Sequence, residues 1–260
     1  MKRKRIHIDP AAFPPELFAY VNGSALYDSS SSPSARVYFI AKENGYFLKT
    51  AAKGTLKTEA DMTAYFNKFE LASPVLMYLS RDCDYLLTKK VAGNDCSEAR
   101  LLQEPERLCD RLAEAMRLLH GFDTVGCPVK NHTKHYLAAA ERNYAAMRYE
   151  QSAPRAFGFA CAKEAFERVQ THGRSLKADT LIHGDFCLPN VIFRNGKLSG
   201  FVDVGNGGVG DRHVDIFWAL WSLNYNLKTN TYAQRFQDAY GRESIDKEVL
   251  RTIAAIEVFG

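Results

Sequence analysis

The rhythm of apolar and polar positions changes once along this chain, near residue 93. Before that point the apolar residues come in short strand-length runs. Arg36-Val37-Tyr38-Phe39-Ile40-Ala41 is dense in β-branched and aromatic residues and predicts a strand. Asn44-Gly45 predicts a hairpin turn, with Tyr46-Phe47-Leu48-Lys49 returning beside the first strand. A helix is predicted from Glu59 to Phe69, and short strands at Leu76–Leu79 and Tyr85–Thr88. After Gly93 the period lengthens. Pro105 opens a helix whose apolar positions Leu108, Leu112, Ala115 and Leu119, spaced 4, 3 and 4 apart, share one face. Further helices are expected at 134–148, 158–170, 213–224, 231–240 and 246–257. A second hairpin interrupts them, with Val191-Ile192-Phe193, the turn Asn195-Gly196, and Leu198 to Val204. The pattern predicts an α+β chain of two lobes: a small antiparallel β-rich part over 1–93 and a larger helical part over 94–260. The hinge falls near 88–94, and a ligand cleft is expected between the lobes.

Composition narrows what such a chain is for. With 260 residues, 46% of them hydrophobic, it can bury a sizeable core. No apolar run approaches the roughly 20 residues of a membrane span. The basic start Lys2-Arg3-Lys4-Arg5 runs into polar residues rather than the long apolar stretch of a secretion signal. The six cysteines stand 13, 13, 18, 34 and 26 residues apart, with no C-x-x-C pair and no zinc-ligand spacing. They read as reduced thiols of a cytoplasmic protein. Net charge is +4, yet no aromatic-interleaved basic patch follows the basic tip. The tip reads as a solvated, frayed end, and neither nucleic acid nor membrane is an expected partner.

The chemistry concentrates in His183-Gly184-Asp185-Phe186-Cys187-Leu188-Pro189-Asn190 and, across the second hairpin, in Phe201-Val202-Asp203-Val204-Gly205. An aspartate, an asparagine five positions on and a second aspartate after a hairpin form the set that phosphoryl transfer requires. The first aspartate orients the attacking hydroxyl and accepts its proton; the other two hold Mg²⁺ against the phosphates. Protein kinases write this as H-R-D-x-x-x-x-N followed by D-F-G. Here Gly184 stands for the arginine, and the triplet is Asp203-Val204-Gly205. Any one of these residues alone reads as an ordinary turn former; in this order, around a hairpin, they read as a transfer site. Gly205-Asn206-Gly207-Gly208-Val209-Gly210 also satisfies G-x-G-x-x-G. A dinucleotide fold needs a parallel strand after the following helix, and the segments beyond Trp218 read as helix upon helix, so that alternative is rejected. Lys49 ends a strand and Glu59 opens a helix, the arrangement of the strand lysine and helix glutamate of kinases.

Over its whole length the chain resembles the aminoglycoside 3′-phosphotransferases, a family with a protein-kinase-like fold. The resemblance runs through Ala35-Arg36-Val37-Tyr38, Phe47-Leu48-Lys49, Glu59-Ala60-Asp61-Met62, Leu118-Leu119-His120, His183 to Asn190, Gly200 to Gly205, Asp211 to Ile216, and Ile256-Glu257-Val258-Phe259. It implies ATP as phosphoryl donor, with GTP left open, and Mg²⁺ as metal. Carried over residue by residue, Lys49 binds the α/β-phosphates and Glu59 anchors it. Ser32 or Ser34 meets a phosphate, while Lys89 and Val91 lie in a hinge whose backbone meets the adenine. Asp185 is the catalytic base, Asn190 and Asp203 are the metal ligands, and His183 and Asp215 support the loop. Glu150, Arg212, Glu257, Phe259 and the terminal Gly260 line the acceptor site. The resemblance implies a monomer or weak dimer acting on a small hydroxyl compound, an aminoglycoside.

Two departures stand out, one at the phosphate contact and one, bearing on the acceptor, in the substrate part. Pro33 falls where relatives carry a phosphate-contacting serine, and residues 141–178 hold 4 acidic against 7 basic residues, where a polycation calls for clustered carboxylates. A kinase of the same fold for another small hydroxyl compound therefore stays open, as does an idle nucleotide-binding module.

Overall fold

The computed structural model describes residues 4–30 and 33–260. The chain divides into two compact units, Met1–Asn94 with Ile192–Gly205, and Asp95–Val191 with Asn206–Gly260. The sequence pattern places all of 94–260 in one lobe. In the structure the second hairpin packs with the first unit: the Phe201 N–H donates to the Leu71 carbonyl at 2.7 Å, and the Phe201 ring meets Phe66 edge to face.

In the first unit, β1 (Lys4–Ile6), β2 (Ala25–Asp28), β3 (Ala35–Ala41), β4 (Tyr46–Ala52), β5 (Val75–Ser80) and β6 (Cys83–Lys89) form one antiparallel sheet in the order β1-β2-β3-β4-β6-β5. Lys4 and Arg5 are therefore exposed members of an edge strand, not part of a frayed end. Short α1 (Phe18–Val21) helps cover one face, where Leu17, Val21, Leu26, Ile40, Tyr46, Leu48 and Leu87 make a core. Strand alternation sends Lys49 to the other face. There its cross-strand partner Leu86 packs under Leu56 and Ala60 at the start of α2 (Lys57–Asn67). The buried Asp84 carboxylate accepts the Leu56 N–H at 2.9 Å and fixes where that helix begins. The first hairpin turn differs from expectation: φ is positive at Glu43 and Gly45, and the Gly45 N–H closes onto the Lys42 carbonyl.

Asn94–Asp95 (β7) leads into the second unit. Its helices are α3 (Ala99–Leu102), α4 (Pro105–His120), α5 (His132–Ala145), α6 (Ala153–Ala156) and α7 (Ala162–His172). After Thr180–Ile182 (β8), Val191–Arg194 (β9), Lys197–Phe201 (β10) and Gly208–Gly210 (β11) come α8 (His213–Leu227), α9 (Ala233–Tyr240) and α10 (Lys247–Glu257). The buried face of α4 includes Leu108, Leu112, Ala115 and Leu119. The helix expected from 158 begins four residues later, because Gly158 takes a left-handed φ of 81° that ends the preceding turn. Asn195 and Gly196 both have positive φ, 51° and 78°, the pairing a two-residue hairpin turn of matching twist demands. The glycine-rich decoy forms β11, antiparallel to β8, with helices after it and no parallel strand among the described residues.

The core of this unit gathers α5, α7, α8 and α10, and Phe259 lies at its centre. Its ring is 0% exposed, packed edge to face against Tyr144, Tyr149 and Phe166. The assignment of Phe259 to the acceptor site is thus corrected: its side chain is core, and its carbonyl accepts from Asn143 Nδ2. All six cysteines are free thiols. No helix among the described residues is long and apolar enough to cross a membrane.

Candidate active site

The first unit contributes a cluster of three charges. Lys49 Nζ donates to Glu59 Oε2 at 2.7 Å and to Asp203 Oδ1 at 2.7 Å. Strand alternation and the start of α2 place the first pair; the loop after β10 brings in Asp203, 154 positions away in sequence. Burial works against the Lys49 ammonium, but the two carboxylates outweigh it and hold its pKa above the ordinary value. Glu59 is largely buried, whereas the Asp203 side chain is 48% exposed on a backbone of φ 58°. A non-glycine residue in the left-handed region costs of order 1–3 kcal/mol, and such positions cluster at functional sites. Lys49 thus has one largely buried partner and one half-exposed partner.

The second unit contributes the loop between β8 and β9. Asn190 Nδ2 donates to Asp185 Oδ2 at 2.9 Å and to the Asp185 carbonyl at 3.0 Å, so carboxylate and carboxamide share one rigid turn. Asp215, in the first turn of α8, is wholly buried. Its carboxylate accepts the His183 N–H and the Gly184 N–H, each at 2.8 Å, and meets His120 Nε2 at 3.0 Å. Burial favours the neutral acid here, but these donors prevail and hold Asp215 below its ordinary pKa. His120 Nδ1 in turn lies 2.8 Å from the Tyr240 hydroxyl. The glycine that replaces the kinase arginine has a steric cause. Gly184 has φ 81°, and a Cβ there would lie 1.9 Å from the Asn206 carbonyl oxygen.

Beyond Asp185 stands Glu257, at the end of α10. Tyr136 Oη and Trp218 Nε1 both donate to its Oε1, the latter at 2.9 Å. Burial pushes its carboxyl up to about 7 against those two donors, with the Asp185 charge adding to the rise. Arg212 reaches Thr180 Oγ1 at 3.4 Å. Glu150 is exposed, and Gly260 donates its N–H to the Glu257 carbonyl. In the first unit, Lys89 ends β6 exposed and Val91 is half-buried, while the Lys90 N–H between them is held by the Gly45 carbonyl. Ser34 is exposed in the turn before β3, and Ser32 lies outside the described residues.

The structure therefore assembles Lys49, Glu59 and Asp203 in one unit, and His183, Asp185, Asn190 and Asp215 in the other. His120 lies in the stretch Leu118-Leu119-His120 that carries the resemblance, but nothing there gives it a partner. Two further participants carry no signal in the local sequence. Tyr136 and Trp218 are visible only as aromatic residues of helices, and no local pattern announces that they serve a glutamate 121 and 39 positions away.

A family model described as the phosphotransferase enzyme family matches residues 30–253. A probable aminoglycoside 3′-phosphotransferase of Lactococcus lactis subsp. lactis (strain IL1403) is 42% identical over 261 residues, covering 100% of this chain and 99% of that protein. Among solved structures, an aminoglycoside 3′-phosphotransferase of type VIII superposes with a TM-score of 0.76 at 22% identity, over 96% of each chain. An aminoglycoside phosphotransferase of Streptomyces rimosus, in complex with ADP and streptomycin, superposes with a TM-score of 0.72 at 18% identity, covering 86% of this chain and 90% of that one.

Proposed function

The chain is an enzyme of the aminoglycoside phosphotransferase family, and from that premise we propose that it transfers the γ-phosphoryl group of ATP to a hydroxyl of an aminoglycoside, at the 3′ position. The observation that carries this reading is the Asp185–Asn190 turn hung on a buried Asp215, in a chain that matches a 3′-phosphotransferase from end to end at 42% identity.

Asp185 is the base. Its Oδ2 already accepts one N–H from Asn190, which fixes the plane of the carboxylate and leaves lone pairs for an acceptor hydroxyl. As the hydroxyl attacks the γ-phosphorus and the bond to the departing ADP breaks, its proton passes to Asp185. Lys49 carries the charge for the phosphates, and Glu59 keeps its ammonium in place when Asp203 lets go. Magnesium suits the residues offered. Asn190 commits its Nδ2 to Asp185 and so keeps its Oδ1 for a cation, and Asp203 is a half-exposed carboxylate now holding a cation of the protein's own. Each is a hard oxygen donor of the kind magnesium takes alongside phosphate oxygens. The ion, when bound with the nucleotide, supplies neutralisation of the phosphate charge.

One observation favours a different acceptor for the same chemistry, the surplus of basic over acidic residues across 141–178. An ADP-release assay across kanamycin, neomycin and a panel of other small alcohols separates the two. Turnover dependent on kanamycin or neomycin is the expected result. ATP consumption that responds only to another alcohol would replace the acceptor and keep the mechanism. Absence of any acceptor-dependent ADP release would overturn the functional reading.

A further inference from the structure

The exposed side of α8 carries two large aromatics that the folded core does not use. Trp221 is 39% exposed and Tyr225 is 58% exposed. Spaced i and i+4 on one helix face, their rings stack at 5.1 Å with planes 7° apart. Trp218 adds a third ring, edge to face with Trp221 at 5.5 Å. Stacked exposed rings give a contiguous apolar surface, and contiguous exposed apolar surface is what binding sites are built from.

The row of rings is continuous with the site. Trp218 Nε1 holds Glu257, whose carboxyl feels the Asp185 charge. One turn along the same helix, Ser222 Oγ accepts the N–H of Leu188, inside the loop that carries Asp185 and Asn190. A ligand group leaving Glu257 along α8 therefore meets Trp221 and then Tyr225.

The rings also answer a shortage of charge. The segment 141–178 has four acids, and two already have duties: Glu164 caps the Ala160 N–H, and Glu167 lies 3.7 Å from Lys163. Aromatic faces attract cations without carrying charge. Tyr225 already does so, with Lys228 Nζ 4.1 Å from its ring centroid. Lys228 stands just past the helix end, on a backbone of φ 57°.

We propose that Trp221 and Tyr225 form a stacking subsite for an ammonium-bearing sugar ring of the acceptor, and that Lys228 occupies its cation seat until the acceptor displaces it. The proposal rests on the aminoglycoside reading above and adds which residues receive a distal ring. It is a specificity device: acceptors with more than one aminosugar gain from it, and compact alcohols do not.

Four variants test it, through KM for neomycin and through binding followed by tryptophan emission, since Trp218 and Trp221 are the chain's two tryptophans. Tyr225→Leu keeps apolar bulk on the helix but removes the π face. It should raise neomycin KM about two- to five-fold, the size of an exposed cation–π contact. Tyr225→Phe should restore the wild-type value. Lys228→Gln should shift KM the other way, lowering it by a similar factor. Neomycin should also change tryptophan emission in the wild type, and Trp221→Leu should abolish most of that change. Opposite shifts in Tyr225→Leu and Lys228→Gln, with rescue by Phe, are not produced by a patch that only supports the fold. Unchanged KM in both, shifts in the same direction, or no rescue by Phe would overturn the subsite while leaving the aminoglycoside reading intact. A wild type inert towards neomycin and kanamycin would overturn that reading, and the subsite with it.

Discussion

The cluster around Lys49 and the loop around Asp185 hold their charges by opposite means. Lys49, Glu59 and Asp203 satisfy one another directly, and the outermost carboxylate is half exposed on a left-handed backbone. Asp185 is held at one remove. Its loop is pinned by backbone N–H groups donating to a fully buried carboxylate, which is itself fixed by a histidine from another helix. Under the proposed function the difference has a use: a carboxylate that gives way to a ligand lies near solvent, where exchange costs little. A base that presents one oxygen at one place is, in turn, hung on a scaffold whose rearrangement would strand buried donors.

Removing Asp215 is the strongest test of that contrast. Asp215→Ala leaves two backbone N–H groups and His120 without their acceptor in a dry interior, at about 1–3 kcal/mol per donor. Urea denaturation should show a loss of about 3 kcal/mol or more, together with loss of activity. Asp185→Asn should differ in kind, with kcat falling on the order of 10²-fold or more while the denaturation midpoint and nucleotide affinity stay near those of the wild type. If the two variants unfold alike, the loop is not pinned in the way described.

The Lys49 cluster offers a test of intermediate size. In a double-mutant cycle on nucleotide affinity, Glu59→Gln and Lys49→Met should couple by about 0.5–3 kcal/mol, because each removes the other's partner. Additive effects would mean that Glu59 does not hold Lys49 for the phosphates.

The smallest effect sharpens the comparison at Glu257. Its folded pKa of about 7 lies above the ordinary 4.5, so between those values the folded chain binds more protons than the unfolded one. The stability this contributes is complete below about pH 4.5 and is lost as pH rises through 7. Glu257→Gln should flatten that part of the stability profile, and Asp185→Asn should move the inflection to lower pH by removing a neighbouring negative charge. Thermal melts across about pH 4–8 that run parallel in wild type and Glu257→Gln would remove Glu257 from the charge network of the site.

Local physics was legible in the sequence wherever a residue's chemistry forces its geometry. The Asn195-Gly196 turn, the apolar face of the helix from Pro105 and the strand that carries Lys49 were all readable from spacing and backbone preference alone, although that strand runs on to Ala52 and does not end at Lys49. The loop His183 to Asn190 was readable for the same reason, since its residues are neighbours in the chain. Phe259 shows where such reading stops. The resemblance placed it in the acceptor site, and only the packing of Tyr144, Tyr149 and Phe166 around its ring makes that side chain core. Gly184 was visible as a departure from the kinase motif, but its cause lay in the carbonyl of Asn206, far along the chain and beyond the second hairpin. The partners of Lys49, Asp215 and Glu257 come from segments 10 to 154 positions away. Burial decides which of those charges are shared and which are held apart, and burial is a property of the folded chain rather than of any stretch of it.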